Sequence, residues 1–206
     1  MIIQEIKVQN EGYVDCKSAF YTAKDILQSD KNYVFSKGKN LMIGEIDSGI
    51  WAVSYLLSMY KHRPKDFVLY EKTNVTVNGK PIALDEVAEY SCYMDSIYPL
   101  FSSRKTVRNL VAQGLKKTKS ERTAEEIREL FELDSERFER PLTCVGNERF
   151  RAMAAIGFSH NKQIFCFPWL SKMRFDGYHD NLIWLLDKLE TLNMIAIVPI
   201  GLGGDL

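Results

Sequence analysis

The sequence predicts an α/β fold with a mostly parallel central sheet, an antiparallel β portion and an inserted helical portion. Three observations carry that expectation. Continuous apolar strands such as Leu41-Met42-Ile43, Gln163 to Phe167 and Met194 to Ile200 alternate with helical stretches, as in a sheet buried on both faces. Short β-like runs precede and interrupt them at residues 2–9 and 66–82. Residues 97–145 lack strand signals and read as helices.

Along the chain, Ile2 to Val8 alternates apolar and polar side chains, the period of a half-buried strand. Tyr33-Val34-Phe35 is a second strand, Lys37-Gly38-Lys39 a turn and Leu41-Met42-Ile43 a third strand. A loop runs from Gly44 to Gly49, and Ile50 to Tyr60 is dense enough in apolar residues to be a buried helix. Phe67 to Tyr70 and Val75 to Val77 read as a β-pair, followed by the turn Asn78-Gly79. Cys92-Tyr93-Met94 is a further strand. Helices are expected from Thr106 to Leu115 and from Thr123 to Leu133, the second opened by a capping box of Thr123 and Glu126. Two more run from Glu148 to Phe158 and from Asn181 to Leu192. The domain reading is a core of residues 1–96 and 146–206 with residues 97–145 inserted.

Composition narrows the function classes. The 206 residues carry 27 basic and 27 acidic side chains, so no net charge speaks for nucleic acid or acidic lipid. The local run Lys116, Lys117, Lys119 and Arg122 is followed directly by Glu125, Glu126 and Glu129, the pattern of a solvated helix start rather than an anion site. Cys16, Cys92, Cys144 and Cys166 show no CxxC spacing and read as reduced, mostly buried thiols. His62, His160 and His179 have no metal-ligand spacing, so no metal site is expected. No basic segment precedes a long apolar one at the N-terminus, and no apolar run reaches about 18 residues. A cytoplasmic protein is therefore expected, with any peripheral place on the inner face of a membrane reached through a partner.

The strand, glycine loop and helix from Leu41 to Tyr60 stand where a phosphate-binding loop would. A working loop reads GxxxxGK[ST]. Here Gly44 and Gly49 are in register, around Asp47 and Ser48, but Ile50 replaces the lysine and Trp51 the hydroxyl residue. No lysine lies between Lys39 and Lys61, so a one-residue slip does not restore the motif.

Six segments in order resemble the nucleotide-binding domain of ABC transporters. Ser36 to Gly49 resembles the strand entering the Walker A loop, and Asn74 to Ile82 the hairpin after the first helix. Cys92 to Val111 resembles the Q-loop and its continuation, and Cys144 to Phe158 the signature motif and its helix. Lys162 to Leu170 stands where the Walker B strand belongs, and Asn193 to Leu202 where the strand before the H-loop belongs. The resemblance implies a P-loop NTPase-like ABC ATPase fold, a domain that pairs head to tail, and a region that docks a membrane permease.

It equally implies that the chemistry is missing. The Walker B carboxylates fall on Pro168 and Trp169, and no Asp or Glu occurs from Lys162 to Phe175. The Q-loop glutamine position is Ser96 and the H-loop histidine position about Ile200. The signature reads Val145-Gly146-Asn147-Glu148, keeping one glycine and the acidic residue. Phosphoryl transfer depends on positioning and charge stabilisation, and one lost electrostatic donor costs about 10²–10³ in rate. With lysine, metal ligands, glutamate and histidine absent together, no catalytic residue is assigned and the chain is expected to be a pseudo-ATPase. Mg-ATP binding is expected to be absent or weak, although helix-terminal N–H groups at Ser48 and Gly49 favour some anion weakly.

Several residues admit two readings. Trp51 is either a core residue or a plug in the empty phosphate site; Pro168 and Trp169 either end a buried strand or mark the lost carboxylates. Tyr21 reads as packed or as an adenine-stacking aromatic, and Glu148 and Arg149 as a solvated helix start or a partner contact. Ile97-Tyr98-Pro99-Leu100-Phe101, if exposed, forms an apolar patch for a permease helix, and otherwise packs under the helical portion. The expected partners are an ABC ATPase-type subunit, or a second copy of the chain, and an integral membrane permease, with no nucleic acid. A non-transport regulatory or homodimeric module is the alternative, and an ATPase with a rearranged site a third. Because ABC domains continue past the strand before the H-loop, the resemblance also implies a chain short at its C-terminus.

Overall fold

The computed structural model describes residues 1–10, 13–15, 24–25, 32–45, 50–62, 68–70, 73–96, 98–101 and 104–201. Four parallel strands form the centre: β5 (Gly38–Ile43), β9 (Ser91–Tyr93), β10 (Ile164–Cys166) and β11 (Ile195–Ile200), in the spatial order β5-β11-β10-β9. Every residue of β9, β10 and β11 is buried, which is why their sequences are continuously apolar or small. α1 (Ile50–Met59) packs against β9, β10 and β11, and α7 (Lys172–Thr191) against β5 and β11.

A four-stranded antiparallel sheet lies in the order β4-β1-β7-β8, from β1 (Glu5–Asn10), β4 (Asn32–Ser36), β7 (Thr73–Val77) and β8 (Lys80–Ile82). Its register places Ile6 opposite both Phe35 and Val77, and Val8 opposite Val75. These five side chains are buried, so the alternation in the sequence becomes one apolar face. Asn78 and Gly79 join β7 to β8 with φ of 50° and 76°, the left-handed pair of a two-residue hairpin turn. The Asn78 carboxamide accepts from the backbone N–H groups of Gln4 and Glu5 at 2.8 and 3.2 Å and so ties the hairpin to the start of β1. Pro81 falls on the edge strand β8, where a residue without an N–H is tolerated because one side of the strand has no neighbour in the sheet to receive it. A three-stranded sheet has the order β3-β2-β6, from β2 (Tyr13–Asp15), β3 (Lys24–Asp25) and β6 (Val68–Tyr70).

The helices of residues 107–159 are α3 (Val107–Thr118), α4 (Ala124–Leu130), α5 (Ser135–Phe138) and α6 (Arg149–Ser159). α3 packs on α4, α5 and α6, and α6 also meets α7. α4 opens with a complete capping box, in which Thr123 and Glu126 satisfy each other's backbone N–H groups.

Three expectations are corrected and one helix is added. β6 does not pair with β7: it pairs with β2 in another sheet, whereas β7 lies between β1 and β8. Gly38 and Lys39 begin β5 rather than forming a turn. α7 begins at Lys172, nine residues before Asn181, because Ser171 caps it and its first turns are largely exposed and carry no apolar stripe. Between β8 and β9 runs α2 (Leu84–Tyr90), a helix whose seven residues are too few for a clear period. It ends under Lys162, whose ammonium donates to the carbonyls of Ala88 and Glu89 at 3.3 and 2.7 Å. Burial there lowers the Lys162 pKa, and the last-turn carbonyls give the cation its partners.

Candidate functional site at the carboxyl edge of the parallel sheet

In open α/β sheets ligands bind beyond the carboxyl ends of parallel strands. That edge gathers Gly44 after β5, Met94 to Ser96 after β9, Phe167 to Trp169 after β10, and Ile200 and Gly201 at the end of β11. The segments assigned by resemblance to Walker A, the Q-loop, Walker B and the H-loop strand thus meet in one place.

α1 begins at this edge with Ile50 and Trp51, 6% and 1% exposed. Trp51 is a core residue. Its Nε1–H donates to Tyr93 Oη at 2.9 Å, and its ring lies 5.4 Å from that of Tyr55, which in turn meets Tyr93 edge-on at 5.4 Å. One turn on, Ser54 Oγ donates to the Phe167 carbonyl at 2.5 Å and binds α1 to the end of β10. Asp47, Ser48 and Gly49, like Tyr21 and Cys16, lie outside the described residues.

Pro168 is buried and Trp169 half-buried. The indole Nε1–H of Trp169 donates to the Gly44 carbonyl at 3.1 Å, so the segment after β10 touches the end of β5 through an uncharged hydrogen bond. Ser96 Oγ donates to Asp95 Oδ1 at 3.1 Å, and Ile200 is fully buried in β11. Asp95, which nothing in the sequence singled out, is 5% exposed. With Arg149, Phe150, Arg174 and Tyr178 it lines a cavity of about 60 Å³ between the ends of β9 and β10 and the helices α6 and α7. Its signal in the sequence was a lone acid after a buried strand, too common to act on.

The segment from Val145 to Glu148 is held by bonds within the chain. Gly146 has φ of 60° in a short 3₁₀ turn. Arg137 of α5 donates to Asn147 Oδ1 at 2.6 Å and to Glu148 Oε1 at 2.8 Å, and Glu148 also accepts from the Asp134 N–H at 3.1 Å. Glu148 is therefore half-buried and ion-paired rather than a solvated helix start. Val145 is buried.

Of the two readings of residues 97–101, burial answers the question of exposure for two of those residues. Tyr98 and Phe101 are each 3% exposed. Tyr98 donates to the Ser91 carbonyl at 3.0 Å and packs edge-on against His62, which follows α1, so the segment folds against that end of the core. Pro99 is exposed and Leu100 half-buried; Ile97 lies outside the described residues. Lys116, Lys117 and Lys119 are exposed at the C-terminal end of α3, where cations complement the helix dipole. Cys92 and Cys166 are buried, burial pushing the Cys92 thiol up to about 12, whereas Cys144 is exposed. Among the described residues no three His, Cys, Asp or Glu side chains gather as a metal site would require, and no helix is long and apolar enough to cross a membrane.

A parallel sheet with buried helix α1 packed on it, flanked by an antiparallel sheet, makes this an α/β protein, and its fold is that of ATP-binding cassettes. Solved structures of such domains superimpose on nearly all of it. An ATP-binding protein from Pyrococcus furiosus described as a putative ABC transporter matches with a TM-score of 0.61 at 17% identity, over 98% of this chain and 92% of that one. An ATP-binding cassette solved as a dimer in a post-hydrolysis state with ADP and Pi matches with a TM-score of 0.62 at 13% identity, over 96% and 88%. The cbiO1 protein of Clostridium perfringens, part of the ABC transporter complex cbiONQ, matches at 0.61 and 12% identity, over 97% and 78%. At these identities the likeness is one of fold. No family model matches the sequence, and no curated protein matches it.

Proposed function

We propose that this chain is a catalytically degenerate ATP-binding cassette of the ABC ATPase family. It pairs with an active ABC ATPase or a second copy of itself, and with a membrane permease, as a structural or regulatory subunit on the cytoplasmic side. In this reading residues 1–96 and 146–206 are the core and 97–145 the inserted helical subdomain. The observation that carries it is the chemistry of the carboxyl edge. The positions for an ammonium and a hydroxyl are Ile50 and Trp51, both turned into the core, and those for two carboxylates are Pro168 and Trp169. Apolar and uncharged groups give a polyphosphate and its cation nothing to pair with.

Isothermal titration with Mg-ATP, with turnover measured in parallel, tests the degenerate site. No saturable heat and no turnover above a buffer blank are expected; tight binding with turnover overturns the reading. The burial of Tyr98 and Phe101 favours a second reading, a non-transport interaction module, because it removes most of the surface through which the resemblance docks a permease. Affinity purification from the native host separates the two: an integral membrane subunit in the purified complex supports the first, and a purely soluble complex the second.

A further inference from the structure

Trp169 spans three strands. Where β10 runs beside β11, Cys166 stands opposite Ile197, and further on Leu170 stands opposite Ile200. Four steps on one strand match three on the other, so the β10 side carries one extra residue between Cys166 and Leu170. Pro168 lies in this bulge and has no N–H to give the ladder. The bulge turns Trp169 out of register, and its indole reaches Gly44 at the end of β5, two strands away. It crosses β11 at Gly201. A β-carbon placed there would stand 3.0 Å from Trp169 Cζ2, so tight that the ring would have to give by a few tenths of an ångström. Backbone bonds continue the pairing beneath the ring: Leu170 N–H to Pro199 at 3.0 Å, Gly201 N–H to Leu170 at 2.8 Å and Gly44 N–H to Ile200 at 2.9 Å.

We propose that Trp169 is an internal clasp. It fastens the end of β10 to the end of β5 across Gly201 and fixes Gly44 without any ligand. The end of β5 is then held in place at Gly44 whether or not a nucleotide is offered. This rests on the silent-cassette reading for its biological sense, though the clasp itself is a matter of geometry.

Amide hydrogen exchange on the full chain tests it. Trp169→Phe keeps most of the ring packing and removes the N–H; Gly201→Ala displaces the ring from the other side. Losing the bond to the Gly44 carbonyl lets the end of β5 open more readily. In both variants the Gly44 amide, which donates to Ile200 when closed, is therefore expected to exchange about tenfold faster than in the parent, while amides of α3 are unchanged. Mg-ATP is expected to leave exchange of the parent at Gly44 unaltered. Parent-like exchange at Gly44 in Trp169→Phe overturns the clasp and leaves the silent-cassette reading standing. Slowed exchange at Gly44 on adding Mg-ATP to the parent overturns both.

Discussion

Single residues decide the character of this site, and Trp51 is the clearest case. From the sequence it was either core or plug. The structure gives its indole N–H a buried partner, Tyr93 Oη, and places its ring in a cluster with Tyr55. A buried donor of this kind is costly to remove because the partner hydroxyl loses its bond in a dry interior. Trp51→Phe is therefore expected to lower unfolding stability by about 1–3 kcal/mol, from the lost bond and the small cavity together. Urea denaturation measures this; a change near zero would mean that the indole is not held as described. Arg137 works in the same way beside Gly146, where its guanidinium occupies Asn147 Oδ1 and Glu148 Oε1.

At the scale of elements, local signals held where they were chemically specific. The Thr123 and Glu126 box was legible because a hydroxyl three residues before a carboxylate has one favoured use. Thr123→Ala is expected to cost about 1 kcal/mol, read as a lower urea midpoint with an unchanged slope. Signals failed where pairing was non-local. β6 and β7 are adjacent in sequence, yet β6 pairs with β2 and β7 with β1, strands near the start of the chain that no local pattern in residues 66–82 singles out as partners. α2 escaped because seven residues make barely two turns, and because its C-terminal partner, Lys162, lies far along the chain.

The whole molecule joins its helical layer to the sheet through α6, and His160 sits at that junction. Its Nε2 lies 3.2 Å from the Leu110 carbonyl of α3, and burial, above all, holds its pKa below the usual 6.5, with Lys117 and Lys162 adding to the effect. The folded chain thus prefers the neutral ring. Above pH 6.5 this preference has no cost; as pH falls through 6.5 toward the lowered folded value, the unfolded chain binds protons first and stability declines. His62 shifts in the same direction, chiefly by burial. The thermal midpoint is expected to fall between about pH 7 and pH 5, and to fall less in His160→Gln. Equal slopes in parent and variant would remove His160 from the account.

What the sequence determined by itself was the α/β fold class with its parallel sheet, and the uncharged side chains that stand at Ile50, Trp51, Pro168 and Trp169. Those follow from local properties: continuous apolar runs demand burial, and absent side chains cannot be supplied by folding. Only the tertiary structure decided where the remaining groups go. It turned Trp51 inward, sent Trp169 across Gly201 to Gly44, paired Glu148 with Arg137 and buried Tyr98 and Phe101. Each of these depends on a partner distant in the chain, and side-chain direction at a bulge or loop has no periodicity from which to read it.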